Sequence, residues 1–445
     1  MPPHRRDGVP ILRDFLSYRA DPLRFWLSSG QIAPIVRIGL GPLLEYWVVT
    51  DPDFLQHILQ KNVKNYPRER RLSRLNRLDG PELMFNTDSW EEWLWRRRLL
   101  QPAFHRQQIA HFAEIMTEEA GRLAAGWQPG QAVNLGHAMK TLTMRIIGRT
   151  MFSADVGAET DELQETYELA SAFTFERASS IWPPPLWLPL PANRRVKTAV
   201  SHRYSLLRRI VEGRLASGEV KGDLLDTLIG AHLEENGRRF SSEDLVGEMG
   251  GIVFAGHETT ALTMMWLFYL LSQHPDVEAR LLAEVEAVVG MDRPPMLADL
   301  PQMPYTQQVI SETLRLYPPV YVTLREADAD DEFGEYHIAK GTHFVLNIRG
   351  LHRDPRYWHN PEQFNPDRFA PEQAKNRDNF TFIPFLGGPK KCIGDSFAMM
   401  EMQLVVPTIL QQHRLRYDLA APPVEKAGFV MEAEGGIEMR VNSHR

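Results

Sequence analysis

The sequence predicts a mainly α-helical protein that carries small β-sheets. Over most of the 445 residues, apolar side chains recur at spacings of three and four, which is the helical period. Strand-like runs are confined mainly to residues 35–50 and 325–347. No repeat or Ser/Gly-rich linker divides the chain. We therefore expect one domain over residues 1–445, fewer than the roughly three domains that length alone suggests.

The composition excludes several classes of protein. Hydrophobic residues make up 43% and charged residues 24%, as in ordinary globular proteins, so disorder is not the dominant state. The net charge of -7 argues against a broad nucleic-acid-binding surface. A single cysteine, Cys392, excludes an intrachain disulfide and a four-cysteine metal site, and it fits the cytoplasm. No apolar run reaches about 18 residues, and the N-terminus lacks a signal-peptide core, so no membrane anchor is expected.

Two groups of strands are predicted. Residues 35–38 and 46–50 should form two strands around a turn that contains Gly39 and Gly41. A second group is expected at residues 336–338 and 343–347. The helical remainder should surround these small sheets.

The clearest helix begins after Ser241, which stands three residues before Asp244 in near-capping-box spacing. It should end at Gln273, since the residue before Pro275 resists helical conformation. Its glycines at positions 247, 250, 251 and 256 each cost about 1 kcal/mol relative to alanine. Close helix packing explains them better than a bulky ligand does, when they are considered alone.

Cys392 lies in a loop whose residues favour a reactive thiol. Residues 387–389 read Gly-Gly-Pro, two lysines precede the thiol, and residues 395–406 have helical periodicity. Nearby cations and a helix N-terminus favour a thiolate. The alternative is a buried, inert cysteine, which is the commoner state of a lone thiol.

Residues 385–394 resemble the haem-ligand loop of the cytochrome P450 family, in its bacterial members. Phe385, Gly388, Cys392 and Gly394 match the family pattern. The resemblance implies that Cys392 is the axial ligand of haem iron. Lys390 stands where the family usually has arginine or histidine, so we expect it near a haem propionate without the bidentate fork of arginine. Leu386 stands where glycine or serine is common.

The resemblance extends to the long helix, where residues 255–260 read Ala-Gly-His-Glu-Thr-Thr. It implies that Ala255 and Gly256 lie beside the haem and that Glu258 and Thr259 deliver protons. Without the cysteine loop, a hydrogen bond within the helix would be the better explanation of the Glu258-Thr259 pair.

Further motifs follow in the family's order. Glu312 and Arg315 match its Glu-x-x-Arg signature, and Arg368 matches a third member of a buried structural triad. The resemblance also implies that Trp93, Arg97 and Arg325 bind the haem propionates. We expect Arg96 and Arg98 to be solvated, or to join Lys391 in a basic surface.

The resemblance also implies which residues line the substrate pocket. These residues are nearly all apolar, which favours a hydrophobic substrate. They are Ile252, Val253, Phe254, Val320, Val322, Thr323, Phe429 and Val430. A terpenoid ranks above a fatty acid, since a fatty acid needs a fixed cation. Arg71 and Arg74 are the candidates for that cation, although they could equally face solvent. Residues 181–189 fall where the family has a mobile lid, which the prolines here would stiffen. We expect this segment to pack against the protein rather than to contact a membrane.

The resemblance implies a haem-thiolate monooxygenase that inserts one atom of O2 into a C–H or C=C bond. Nothing in the sequence looks like a flavin or iron–sulfur domain, so electrons should come from a separate ferredoxin or flavodoxin and an NAD(P)H-dependent reductase. Three alternatives stay open: a peroxide-driven haem enzyme, a non-catalytic gas sensor, and an isomerase or dehydratase of oxygenated lipids.

Overall fold

A computed structural model describes residues 2–3, 11–39, 45–70, 83–153, 160–180, 183–230 and 237–443. The described part is mostly helical, as the sequence predicts, with short 3-10 and π-helical turns between the longer helices. The helices are α1 Ile11–Ala20, α2 Pro22–Gly30, α3 Pro52–Gln56, α4 Trp90–Leu100, α5 Arg106–Ala110, α6 Ala113–Ala125, α7 Leu135–Phe152, α8 Thr160–Ala178, α9 Pro191–Ser217, α10 Leu224–Gly230, α11 Ser242–Gln273, α12 Pro275–Val288, α13 Pro304–Leu316, α14 Ile348–His352, α15 Pro371–Ala374 and α16 Asp395–Gln412.

Eleven strands in the described part form four small sheets. The strands are β1 Ile35–Gly39, β2 Glu45–Val49, β3 Ala132–Asn134, β4 Thr323–Glu326, β5 Asp331–Phe333, β6 Tyr336–Ile338, β7 His343–Leu346, β8 His413–Arg416, β9 Glu425–Lys426, β10 Glu432–Ala433 and β11 Glu438–Ser443. One sheet has the order β1-β2-β7-β4 and another the order β3-β11-β8, while β5-β6 and β9-β10 are hairpins.

The two predicted groups of strands meet in one sheet. β1 and β2 pair antiparallel, and β7 lies parallel to β2 with Phe344 opposite Trp47. The second predicted group is therefore divided, because β6 pairs with β5 instead. The sheet of β3, β11 and β8 lies outside the predicted strand regions and joins residues about 300 positions apart in the sequence.

Helix α11 crosses the core with 32 residues, close to 50 Å at about 1.5 Å per residue. Its start is a full capping box between Ser241 and Asp244, and it ends before His274, as predicted. A Cβ added at Gly251 or Gly256 would lie 2.8 Å from the side chain of Phe85 or Ile147. These glycines therefore allow close packing, which agrees with the interpretation that the sequence favoured.

The predicted lid is described from residue 183 onwards, and residues 181 and 182 lie outside the described part. Leu186 packs against the apolar cluster of α8 and α9, whereas the side chain of Trp187 is 75% exposed. Within the described residues, no helix combines the length and the apolar character needed to cross a bilayer.

Candidate active site

A cavity of about 520 Å³ lies between α11 and the loop that precedes α16. Cys392, Gly256 and Thr259 all line it, so the structure brings the two principal predicted motifs to opposite walls of one space. The predicted residues Phe385, Lys390, Gly394 and Ala255 also line it. The cavity is therefore the candidate active site.

The cysteine loop has a geometry that its glycines permit. The Cys392 N–H donates to the Phe385 carbonyl at 2.9 Å, and the Lys391 N–H donates to the Gly388 carbonyl at 3.1 Å. Gly388 has φ +67, and a Cβ there would lie 1.9 Å from the Leu59 carbonyl oxygen. Only glycine fits this position, because any side chain would collide with backbone. Leu386 also adopts the left-handed region, with φ +58.

The environment of the thiol differs from the sequence-based expectation. Cys392 has accessible surface, and that surface faces the cavity. Burial within the protein raises the pKa of the thiol, and Arg97 and Lys391 lower it only in part. Lys391 pairs with Asp395 at 2.5 Å. Lys391 therefore favours the thiolate, as predicted, but burial outweighs it in the protein alone, whereas a coordinated metal ion deprotonates a thiol outright.

Three cations stand near one another beside the cavity: Arg68 and Lys390 are half-buried and line it, and the buried Arg325 pairs with Arg68 in a β-bridge. Burial lowers the pKa of Lys390 to about 7, with smaller contributions from Arg325 and Arg68. Burial likewise lowers the pKa of Arg325 to about 9 and that of Arg68 to about 10. Among the described carboxylates, none forms an ion pair with any of these three. Buried cations without an anion are costly, so the group fits a ligand that brings negative charges into the cavity.

Trp93 and Arg97 lie on the same side of the molecule as this cationic group. The Lys390 ammonium lies 5.4 Å from the centre of the Trp93 ring and 5.6 Å from that of Trp90. Burial lowers the pKa of Arg97, and Cys392 and Asp395 oppose that change, so Arg97 is near the thiol. Arg68 was missed by sequence reasoning, because it lies in an arginine-rich run that looks like a solvated surface.

Glu258 and Thr259 meet the cavity at the middle of α11. The Thr259 hydroxyl donates to the Ala255 carbonyl at 2.7 Å, which is the bond within the helix that the sequence allowed. Neither carboxyl oxygen of Glu258 accepts a hydrogen bond within the described part of the protein, and Glu258 is 2% exposed. Burial raises the pKa of Glu258 to about 7, although Lys140 opposes this shift. Glu258 can therefore carry a proton near neutral pH.

Seven of the eight predicted substrate residues line the cavity: Ile252, Phe254, Val320, Val322, Thr323, Phe429 and Val430. Val253 does not, because its side chain is buried on another face of α11. The cavity wall is less apolar than those positions suggest. Arg203 lines it from α9, with its guanidinium 4.4 Å from the centre of the Tyr167 ring. Arg71 and Arg74 lie outside the described residues.

The predicted triad assembles away from the cavity. Arg315 donates two hydrogen bonds to Glu312, at 2.6 and 2.7 Å, and both residues are fully buried. Arg368 approaches the same carboxylate at 3.3 Å. Arg315 also donates to the His352 carbonyl, and the His352 ring accepts the Ile383 N–H at 3.0 Å. The triad therefore supports the start of the cysteine loop through hydrogen bonds.

Arg96 is a correction to the sequence analysis, which treated it as solvated. It is 5% exposed and pairs with Glu92 at 2.7 Å, Asp244 at 2.8 Å and Glu248 at 2.9 Å. Its guanidinium lies 5.1 Å from the ring of the buried Trp95. The acidic first turns of α4 and α11 supply Glu92 and Asp244, and Glu248 follows one turn later on α11. Arg98 is exposed, as expected.

Comparison with known proteins agrees with this geometry. The family model for Cytochrome P450 matches residues 3–437. Cyclooctat-9-en-7-ol 5-monooxygenase of Streptomyces melanosporofaciens is 32% identical over 410 residues, which are 92% of this chain and 88% of that protein. Cyclooctatin synthase of the same organism is 33% identical over 412 residues, with 92% and 89% coverage. The crystal structure of the cytochrome P450DA heme domain superposes with a TM-score of 0.89 at 25% identity and covers 100% of this chain and 98% of that one.

Proposed function

The chain belongs to the cytochrome P450 family, and we propose that this member oxygenates a cyclic terpenoid that already carries a hydroxyl group. The enzyme is a haem b monooxygenase. The observation that carries the proposal is a single cavity with a cysteine thiol on one wall and mostly apolar side chains around it. Its few polar groups can orient a substrate without requiring a charged one.

The residues around the cavity fit the cofactor. Haem b, when bound, activates O2 and transfers one oxygen atom to the substrate. We assign the iron ligand to Cys392 and the haem propionates to the cationic group of Arg68, Arg325 and Lys390. Arg97 and Trp93 complete that side of the site. This assignment accounts for the three cations that lack a carboxylate partner in the described part of the protein.

Glu258 and Thr259 supply protons in this proposal. Oxygen activation consumes protons, and the Thr259 hydroxyl can pass a proton from the neighbouring carboxyl into the cavity. Glu258 holds that proton at neutral pH because burial raises its pKa to about 7. The pair favours a monooxygenase over a peroxide-driven enzyme or a gas sensor, neither of which needs a proton supply of this kind.

The terpenoid assignment draws on the relatives and on the cavity wall. One relative is named for its action on cyclooctat-9-en-7-ol, a cyclic alcohol. Phe254, Val320 and Phe429 provide rigid apolar surface for a ring system, and Thr174 offers a hydroxyl to a substrate oxygen. A fatty acid is the second candidate, since Arg203 brings a cation to the same wall.

Electron supply and location complete the proposal. Separate redox partners would dock near the exposed Arg98 and Lys391, on the side of the cysteine loop. The single cysteine supports a cytoplasmic location.

The test combines binding with product analysis. Cyclic diterpene alcohols, sesquiterpene hydrocarbons and long-chain fatty acids are titrated into the haem-loaded protein, and the low-spin to high-spin shift is followed. The best binder is then incubated with surrogate redox partners, NAD(P)H and ¹⁸O2. We expect the tightest shift with a cyclic alcohol and one labelled oxygen atom in its product. Tighter binding of fatty acids, lost in Arg203→Gln but kept in the control Arg208→Gln, would overturn the substrate assignment. An unlabelled product would overturn the monooxygenase proposal.

A further inference from the structure

A second cavity, of about 680 Å³, lies behind Glu258. Its wall consists of α7, α8, one face of α11 and the segment that contains the β9–β10 hairpin. Lys426 and Glu176 on this wall are exposed, so the cavity reaches the protein surface. Phe429 and Ser171 line both cavities, which are therefore adjacent.

Glu258 stands between the two cavities in a cluster of charges. The Lys140 ammonium lies 3.7 Å from the Glu258 carboxyl and 2.8 Å from that of Glu168. Gln164 fixes Glu168 from the same helix at 3.1 Å. Lys140 is 8% exposed, whereas the side chain of Glu168 is 43% exposed. Charged side chains therefore extend from the buried Glu258 carboxyl to the opening of the second cavity.

Glu432 adds a second carboxylate beside Glu258. It lies on β10, is half-buried and lines the second cavity. It is close enough to raise the pKa of Glu258 and to form a hydrogen bond with it once one of the two carboxyls carries a proton. The two carboxyls therefore form a pair in which a proton can move from one to the other.

The surroundings of Glu258 favour one proton within this cluster near neutral pH. Three carboxylates share the single buried ammonium of Lys140, so ionising all three leaves an uncompensated charge. Burial lowers the pKa of His257 to about 4, so that ring is neutral and adds no cation. The titratable and charged groups that face the cluster are His137 and Lys140 on α7, Glu168 and Glu176 on α8, His257 on α11, and Lys426 and Glu432 on the hairpin.

We propose that Glu432 takes up protons from solvent in the second cavity and passes them to Glu258, while Lys140, anchored by Glu168, positions the two carboxyls. The inference rests on the proposed monooxygenase function and adds the route by which protons reach its active site. Glu432, Lys140 and Glu168 are positioning residues, since none of them lines the cavity that contains Cys392.

The transfer balances in protons and charge. Glu258 releases one proton through the Thr259 hydroxyl and becomes a carboxylate, which Lys140 stabilises as an ammonium. One proton from solvent adds to Glu432 and moves to Glu258, which restores the starting state. No electron is involved, and one proton enters at the second cavity for each proton that leaves toward the first.

The test uses the haem-loaded enzyme and three main variants, with Glu258→Gln and Glu432→Asp as references. Glu432→Gln removes the proton carrier, Lys140→Met removes the positioning cation, and Glu176→Gln is the matched control on the same cavity wall. The first readout is the infrared carbonyl band of protonated Glu258, identified by its loss in Glu258→Gln and titrated with pH. The second readout is the ratio of oxygenated product to released peroxide.

We expect the wild-type band to titrate near pH 7. Its midpoint should fall by about one unit in Glu432→Gln, which removes a like charge, and rise by a similar amount in Lys140→Met. The ratio of product to peroxide should fall about tenfold in Glu432→Gln and recover in Glu432→Asp, with no change in Glu176→Gln.

A Glu432→Gln variant that matches the Glu176→Gln control in both readouts would overturn the inference. The infrared titration needs no turnover, so it tests this inference even if the chain oxygenates no substrate. Conversely, an active enzyme with an unshifted band would leave the proposed function intact and remove the Glu432 route.

Discussion

Two buried glutamates of this protein show opposite solutions to the same problem. Glu312 receives two hydrogen bonds from Arg315, a third from the Asn365 N–H and a contact from Arg368. Glu258 has one neighbouring cation, Lys140 at 3.7 Å, and a like-charged carboxyl, Glu432, beside it. A fully paired carboxylate fixes structure, whereas an underpaired one exchanges protons. The difference separates the region that supports the cysteine loop from the region that supplies protons.

The largest effect should come from removing the main hydrogen-bonding partner of Glu312, so that this carboxylate becomes underpaired as Glu258 is. Arg315→Ala removes both bidentate hydrogen bonds to the buried Glu312 and leaves Arg368, at 3.3 Å, as its hydrogen-bonded cation. The expected cost is about 3–5 kcal/mol in the free energy of unfolding. The loss should spread through His352 and Ile383 to the cysteine loop and release the haem. Haem content per purified protein checks this, with Arg280→Ala, an exposed arginine, as control. A soluble, haem-replete Arg315→Ala enzyme would contradict the structural role of the triad.

A second variant removes the hydroxyl through which Glu258 releases its proton and leaves the Glu258 carboxyl buried. Thr259→Ala should keep its haem content and substrate binding. The product formed per NAD(P)H should fall at least about tenfold, because positioned proton-transfer groups commonly contribute 100-fold or more to rate. Peroxide should account for the missing electrons. Thr263→Ala, one turn further along α11, is the control, and unchanged coupling in Thr259→Ala would refute the role of this hydroxyl.

Glu248 is an intermediate case that sharpens the comparison. It accepts hydrogen bonds from Arg96 and from the Met84 N–H, each at 2.9 Å, yet burial raises its pKa to about 7. Between about pH 4.5 and pH 7, the folded protein therefore binds a proton that the unfolded chain lacks. Stability from this group is highest at the acidic end and falls as pH rises through 7.

The corresponding measurement compares thermal midpoints of the wild type and Glu248→Gln from pH 5 to pH 8. The free energy of unfolding of the wild type should fall by up to about 3 kcal/mol relative to that of the variant as pH rises to 7, and should fall no further above pH 7. Parallel pH profiles of the two proteins would mean that Glu248 stays ionised, as a fully paired carboxylate does.

The smallest effect concerns the loop that the Glu312 region supports. Leu386 has φ +58, which costs a non-glycine residue about 1 kcal/mol. Leu386→Gly and Leu386→Ala remove the same packing, but only glycine also relieves the backbone. The glycine variant should therefore be the more stable of the two by about 1 kcal/mol, measured as thermal midpoints of the haem-loaded proteins. Equal midpoints would mean that the loop relaxes to another conformation.

The sequence predicted features whose cause is local. The capping box at Ser241 and the proline at position 275 set the ends of α11, and the short runs of β-branched and aromatic residues in β1 and β2 set the first strands. The cysteine loop was equally predictable, since its glycines and following helix lie within a few residues of the thiol. The triad followed from short motifs whose partners the resemblance supplied.

Features that depend on distant segments could not be predicted. The sheet of β3, β11 and β8 joins residues 132–134 to the C-terminal segment, and such short strands give little periodic signal. Arg68 and Arg96 look like surface residues in the sequence, but the fold places Arg68 at the cavity wall and buries Arg96. The second cavity combines α7, α8 and the β9–β10 hairpin, so Glu432 has no local motif that identifies it.

Glu312 stabilises the fold around the cysteine loop, whereas Glu258 supplies protons to the reaction. The direct test measures product per NAD(P)H, normalised to haem that binds carbon monoxide as a thiolate complex, in Glu312→Gln and Glu258→Gln. Cys392→Ser, which should lose that spectral band, defines the baseline. Glu312→Gln should lose most of its haem but keep normal coupling in the haem that remains. Glu258→Gln should keep its haem and lose coupling, with peroxide released instead. Normal coupling in Glu258→Gln, or full haem content in Glu312→Gln, would contradict the account.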